Sequence, residues 1–408
     1  MAAAEIIAVG SELLTPSKID TNSLWLTEQL NDLGVEVIRK SVVGDDRALL
    51  STAIDAALAT CAVVILCGGL GPTEDDLTRE AAAAALGREL IFVQEICDAL
   101  EERFRRFNRK MVANNRRQAY LIAGAVALSN DRGTAPGQWI ETDGKVVILL
   151  PGPPNELKSM FARECAPRLK HMLPPRVIGT RQLRVVGLPE SDLDALIAPI
   201  YTRYSNPTTT ILSNVGGIDI HFRAQCDTGE QADALLDEVV AQIEPLLRPR
   251  IVSRNGDPIE KVVGEMLRTR GVRLSVAESA TGGMLGESIT SVPNSSDYFV
   301  GGFLTYSDEM KMQLLGVPEE MIRSHSAVSE PVAKAMADGA RERTGSDYAL
   351  SVTGYAGPDG EDVGLMFVGL AGPQGTEARR LKMPGDRNRI RALTVLNSLD
   401  FLRQRLML

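Results

Sequence analysis

The sequence predicts an α/β protein in three parts: an N-terminal three-layer α/β/α domain on a mostly parallel sheet, a small α+β module, and a C-terminal α/β domain. Three observations carry that expectation. From Ile6 onward, short β-branched runs alternate with amphipathic stretches, the pattern of βαβ units. At Pro174-Pro175 the alternation gives way to a shorter strand, helix, hairpin and helix. At Pro249 to Pro258 a stretch holding Ser253, Asn255 and Gly256 reads as a linker. The expected parts are residues 1–174, 175–250 and 257–408.

In the first part, Asp20-Thr21-Asn22 starts a helix with Leu26, Leu30 and Leu33 at helical spacing, and Gly34 ends it in the left-handed conformation. Val35 to Ile38 reads as a strand. Asp45-Asp46 caps a second helix carrying Leu50, Ile54 and Leu58, and the apolar run Ala62 to Cys67 reads as a buried strand. A helix follows from Thr78, and Lys145 to Leu150 is a strand running into Pro151-Gly152-Pro153-Pro154 and a helix capped by Asn155. Two glycine- or proline-rich loops therefore lie at the carboxyl ends of strands, where open α/β sheets bind ligands.

The middle module has a strand at Arg181 to Val186 and a helix at Leu193 to Ile200. A hairpin from Thr208 to Ala224 turns at Gly216-Gly217, with Ile218, Ile220 and Phe222 alternating against Asp219, His221 and Arg223. A helix from about Gln231 to Leu247 closes it. Asp257-Pro258 opens the C-terminal part, with Asp257 as the cap and Pro258 at the first helical position.

A chain of 408 residues, 44% of them hydrophobic, has room for two or three domains, each with a sizeable core. A net charge of −9 argues against a broad phosphate-backbone surface, so no nucleic-acid partner is expected. Five cysteines without CxxC spacing suggest neither a disulfide framework nor a zinc site, and three scattered histidines make a histidine metal centre improbable. The N-terminus lacks the features of a secretory signal, and no apolar run reaches the ~18 residues of a membrane span, so a soluble cytoplasmic protein is expected.

Gly68-Gly69-Leu70-Gly71-Pro72-Thr73 follows a buried strand and precedes a helix, so its backbone amides can converge on a phosphate. Asp75 and Asp76 offer hard oxygen ligands to a divalent cation bridging that phosphate, with Glu12 and Asp20 as further candidates. The basic run Arg103, Arg105, Arg106, Arg109 and Lys110, interleaved with Phe104 and Phe107, reads either as an anion contact or as a solvated helix face. In the C-terminal part, Ala277-Glu278-Ser279-Ala280-Thr281-Gly282-Gly283 places a serine at the mouth of a strand-to-helix turn, followed by glycines that let a substrate approach the backbone.

That word, with Gly302-Phe303-Leu304-Thr305-Tyr306-Ser307-Asp308-Glu309-Met310-Lys311 and Val352-Thr353-Gly354-Tyr355-Ala356-Gly357-Pro358-Asp359-Gly360, resembles the C-terminal amidohydrolase domain of the CinA (competence/damage-inducible protein A) family. The word from Gly68 to Thr78, with Asn130 to Gly137 and Pro151-Gly152-Pro153-Pro154-Asn155-Glu156, resembles the molybdopterin-binding-like domain that opens CinA proteins. The middle module is similar to their KH-like domain but lacks a basic GxxG clamp, so single-stranded RNA is not an expected ligand.

The resemblance implies hydrolysis of the carboxamide of nicotinamide mononucleotide to the acid and ammonia, with no cofactor. It also implies an N-terminal domain that binds, and with a divalent metal cleaves, an ADP-ribose-like pyrophosphate, in a homodimer. Ser279, Tyr306 and Lys311 match the family's serine, tyrosine and lysine. Amide hydrolysis needs a nucleophile, a base and oxyanion donors, which are read as Ser279, Lys311 and the amides of Thr281, Gly282 and Gly283. Lowering a lysine pKa from ~10.4 toward ~7 costs roughly 4 to 5 kcal/mol, which calls for desolvation or a neighbouring cation such as the substrate's pyridinium ring. Thr353, Gly354, Ala356 and Gly357 are expected to line the nucleotide pocket and Arg387 to hold the phosphate.

The chain departs from the family where Ala280 replaces a common cysteine, at Thr15-Pro16-Ser17-Lys18, and where Asp359-Gly360-Glu361-Asp362 runs directly into Val363-Gly364. The last change is expected to alter the pocket's lid. Two alternatives stand beside the main reading: a pyrophosphatase with an inactive amidase, and a non-catalytic pterin or nucleotide binder.

Overall fold

A computed structural model describes residues 3–358 and 362–408. The chain divides into two compact units, residues 1–179 with 225–233, and residues 180–224 with 234–408.

The first unit holds β1 (Ala3–Val9), β2 (Glu36–Val43), β3 (Val63–Cys67), the short pair β4 (Leu90–Phe92) and β5 (Tyr120–Ile122), then β6 (Val126–Leu128), β7 (Gly137–Thr142) and β8 (Lys145–Leu150). The main sheet runs β2-β1-β3-β8-β7-β6; β1, β2, β3 and β8 are parallel, whereas β7 and β6 add an antiparallel edge. Alternation along β3 shows why three layers form. Val63, Ile65 and Cys67 pack with Leu26, Leu30 and Leu157 on one face, and Val64 and Leu66 with Leu50, Ile54 and Ala57 on the other. Asp20 caps the helix Thr21–Asp32, and Asp46 caps Arg47–Thr60, as expected. Asn155 does not cap its helix: the helix begins at Pro154, whose ring fixes the backbone at the first helical position.

β9 (Val177–Val185), β10 (Thr208–Asn214), β11 (Gly217–Cys226) and β12 (Ile251–Ser253), which fall in the second unit apart from residues 177–179 and 225–226, form a sheet in the order β10-β11-β9-β12. Three residues of the stretch read as a linker, Ile251–Ser253, therefore belong to a sheet. Ile251, Val252 and Ser253 are buried, and Ile251 and Ser253 pair with β9. The buried Arg403 guanidinium donates to the carbonyls of Ile251 (3.2 Å) and Pro249 (2.8 Å). Serine, asparagine and glycine around Ile251-Val252 hid a two-residue apolar anchor.

The same unit contains β13 (Leu274–Glu278), β14 (Phe299–Leu304), β15 (Tyr348–Gly354), β16 (Leu365–Gly372) and β17 (Gly375–Lys382), in the order β14-β13-β15-β16-β17. β14, β13 and β15 are parallel; β16 and β17 are antiparallel. One face carries Val276, Leu350 and Val352 with the helices Ile259–Arg270 and Arg387–Leu406. The other packs Ala277 and Ala349 on Leu315 and on Val332, Met336 and Ala337 of the helix Glu330–Thr344.

Candidate functional site

At the C-terminal sheet, register assembles the site. Glu278 stands opposite Leu304 of β14 and Val352 of β15. Just past them the Thr305 amide donates to the Glu278 carbonyl at 2.8 Å, and the Ser279 amide to the Val352 carbonyl at 3.0 Å. Ser279 thus lies beside Thr305 and Thr353, one row beyond the last paired residues. Ala280 packs with Val276 and Val352 on one face of the sheet, whereas Ala277 lies on the other. That face is covered by the helices Asp308–Leu315 and Glu330–Thr344, and the first supplies Lys311, only 2% exposed. Three distant words of sequence meet at one sheet edge.

Burial holds the Lys311 ammonium below its ordinary pKa, although Asp308, Glu309 and Tyr306 pull the other way. Its Nζ donates to the carbonyls of Tyr306 (3.3 Å) and Ser307 (3.5 Å) and lies 3.6 Å from the Asp308 carboxylate. Ser307 caps the helix through the Met310 amide. Tyr306 is 69% exposed.

One residue missed from sequence is Glu278. Its carboxylate is 1% exposed and accepts the amides of Gly283 (3.0 Å), Leu285 (3.0 Å) and Gly286 (2.8 Å) at the start of the helix Met284–Thr290. The Gly282 amide bonds the Ser279 carbonyl at 3.1 Å. Two of the three expected oxyanion donors are thus engaged within the chain, whereas the Thr281 amide, like that of Ala280, has no partner among the described residues. A carboxylate just before a helix start was the available signal. Arg391 also went unnoticed; its guanidinium donates to the Thr281 carbonyl through Nε (3.2 Å) and Nη2 (2.5 Å) and so braces the turn from behind. The hydroxyls of Thr281 and Thr305 are fully buried and unpartnered among the described residues.

The remaining expected pocket residues make contacts within the chain. Thr353 donates its hydroxyl to the Ala327 carbonyl at 2.9 Å, Ala356 packs in the core, and a side chain at Gly354 would run into Met366. Arg387 donates to the Gly357 carbonyl at 2.5 Å, tying the helix Arg387–Leu406 to that turn. The altered loop at Asp359-Gly360-Glu361 lies outside the described residues.

In the first unit, the ends of β1, β3 and β8 surround a cavity of about 400 Å³, lined by Gly68 to Pro72 and by Glu12, Asp45, Asp75, Asp76, Gln118, Thr134 and Glu156. The Gly68 amide is tied to the Leu150 carbonyl (2.9 Å), and Gly68 and Gly69 take φ of 111° and 64°, values that favour glycine. Buried Arg79 fixes the loop from behind through the carbonyls of Leu70 (2.6 Å) and Gly71 (3.0 Å). Asp76 Oδ2 accepts the amide (2.8 Å) and hydroxyl (2.5 Å) of Thr73. Asp20 does not line the cavity: its Oδ1 caps Ser23 at 3.0 Å. The words around Asn130 and Glu156 are joined by a side-chain hydrogen bond of 2.7 Å.

Along 99% of its length the chain is 56% identical to a "CinA-like protein" of Solibacter usitatus, covering 98% of that protein, and 47% identical to a "CinA-like protein" of Koribacter versatilis, again over 99% of each. The chain belongs to the CinA family. Its CinA architecture is confirmed part by part: the probable molybdopterin binding domain matches residues 5–171, the CinA KH domain 180–252, and the CinA C-terminal domain 256–406. Among solved structures, the competence damage-inducible protein A (ComA) of Klebsiella pneumoniae is 34% identical over 36% of this CinA chain and 95% of its own, with a TM-score of 0.36. Among the described residues of this CinA protein, no helix is long and apolar enough to cross a membrane. Nor do three Asp, Glu, His or Cys side chains there group closely enough to hold a metal ion by themselves.

Proposed function

We propose that the C-terminal site hydrolyses the carboxamide of nicotinamide mononucleotide to nicotinate mononucleotide and ammonia. The observation that supports this reading is the sheet-edge row that brings Ser279 beside Thr305, with the buried Lys311, its pKa lowered by burial, on the helix that follows. Neutral Lys311 takes the Ser279 proton as Oγ attacks the carboxamide carbon, and the Thr281 amide donates to the developing oxyanion. Collapse breaks the C–N bond, the proton passes from Lys311 to the leaving ammonia, and water then cleaves the acyl-serine ester. A pyridinium ring near Lys311 would favour the neutral amine further. Tyr306, exposed at the rim, is assigned to holding the substrate.

The N-terminal cavity supports a second activity, the binding and metal-dependent cleavage of an ADP-ribose-like pyrophosphate. Its donor set is carboxylate oxygen, the chemistry a hard divalent cation prefers. Asp75 and Asp76 would hold that cation, with phosphate oxygens and water completing its shell, and it would neutralise charge on the phosphates. Incubating the purified protein separately with nicotinamide mononucleotide and with ADP-ribose, with and without magnesium, tests both readings. Ammonia without metal and AMP only with metal are the expected products.

A further inference from the structure

Beside the glycine-loop cavity lies a second one of about 410 Å³, lined by Arg103, Phe104, Phe107, Arg109, Arg132, Gly133 and Thr134. Thr134 lines both. We infer that this second cavity receives the aromatic base of a nucleotide whose phosphates lie on the loop Gly68 to Thr73, an inference that rests on the pyrophosphate reading above.

The cavity is held by specific bonds. Arg103 donates to the carbonyls of Asn130 (2.6 Å) and Asp131 (2.8 Å), and Asn130 in turn bonds Glu156 of the first cavity. One short segment, 130–135, therefore frames both spaces. The helix Gln94–Arg106 ends in a Schellman turn: Asn108 takes φ of 55°, its amide bonds the Arg105 carbonyl, and the Arg109 amide returns to the Phe104 carbonyl at 2.9 Å. That turn brings the backbone at Arg109 back beside Phe104 and projects Phe107.

The chemistry of the lining selects the ligand. Phe107 is 68% exposed, an apolar ring presented to solvent next to cations. The side chains of Arg109 and Arg132 have no hydrogen-bond or ion-pair partner among the described residues, whereas Arg105 and Arg106 pair with Glu102. An aromatic platform flanked by unpaired guanidinium groups suits a stacked base and the negative charge of its phosphate. The acidic cavity next door suits the metal-bound pyrophosphate. Sequence alone left this basic run between an anion contact and a solvated face; the division of its arginines into paired and unpaired ones favours the anion contact for Arg109.

Titration of the full chain with ADP-ribose and with inorganic pyrophosphate, both with magnesium, tests the assignment. Phe107→Ala should weaken ADP-ribose roughly tenfold, the loss of one stacked base, and leave pyrophosphate unchanged. Phe107→Tyr should restore binding to within about twofold, since any aromatic face stacks. Arg109→Ala with Arg132→Ala should weaken ADP-ribose more than Phe107→Ala does, with an unchanged melting temperature. Parental binding of ADP-ribose by all three variants overturns the inference while leaving the pyrophosphate reading intact. A change in self-association in Phe107→Ala with unaltered ADP-ribose binding also overturns it, in favour of a contact between copies of the chain. Should the parent bind neither probe, the pyrophosphate reading fails and this subsite with it.

Discussion

The two sites sit at the same place in their sheets, the carboxyl ends of parallel strands, yet they are built in opposite ways. The N-terminal cavity is a backbone structure: a glycine loop pinned by Arg79 and Thr73, with acidic side chains around it. The C-terminal site is built from side chains: strand register brings Ser279 beside Thr305, and the helix that follows carries the buried Lys311. Glu278 illustrates the contrast. It fills a helix start with a carboxylate of the protein itself, so that this amide cluster is satisfied internally, whereas the glycine loop leaves its cavity side open. One arrangement leaves backbone donors facing a cavity; the other ties them to a side chain of the chain itself.

The largest expected effect falls on the second arrangement. Ser279→Ala and Lys311→Ala should each reduce ammonia release by about a thousandfold or more, and the double variant little further, because members of a catalytic unit are not additive. ADP-ribose cleavage should be untouched. Near-parental ammonia release by Ser279→Ala would sink the covalent route and make water the nucleophile.

The converse change is at Asp76. Asp76→Ala should reduce metal-dependent pyrophosphate cleavage by about a hundredfold or more, with ammonia release unchanged. Because Asp76 also accepts two hydrogen bonds from Thr73, Asp76→Asn separates the roles. The amide oxygen keeps the loop but ligates metal poorly, so activity recovered in Asp76→Asn would reduce Asp76 to a loop brace.

Glu278→Gln should cost about 1.5 to 3 kcal/mol of stability, since an amide cannot accept all three backbone donors with the strength of a carboxylate. The turnover number for the carboxamide should fall while KM moves little, because the displaced turn carries Ser279. Unchanged turnover would detach the cap from the nucleophile's placement.

Removing residues before Asp257 deletes β12 and leaves Arg403 without two of its carbonyl acceptors. A chain beginning there should melt earlier by several degrees than the full chain's corresponding transition, by about 1.5 to 3 kcal/mol for hydrogen bonds to a charged group. An equal melting temperature would restore the linker reading.

The smallest effect is a displaced pH limb. Only the neutral amine accepts the serine proton, so turnover should rise as pH climbs through the Lys311 pKa, and burial sets that limb below the ordinary lysine value of ~10.4. The sign for stability is the same: between the folded and unfolded values the unfolded chain holds more protons, so stability rises with pH there. Comparing nicotinamide mononucleotide with an uncharged amide tests the pyridinium contribution, and identical limbs would count against it.

Much was legible without coordinates. Alternation of β-branched runs with leucine stripes foretold layered α/β domains, because the periods of strand and helix are fixed by backbone geometry. That the glycine loop and Ser279 each stand just past the end of a strand was legible too, since strand runs and the glycines of a turn are local features. Tertiary structure decided what depends on partners far along the chain: that Ile251-Val252 completes a sheet, that Asp20 faces its own helix rather than the cavity, and that Glu278 engages the Gly283 amide. Nothing in the local sequence marks Arg391 as the brace of Thr281, 110 residues away. Hydrogen-bond partners at such separations are chosen by packing and register, and neither has a period that can be read along a chain.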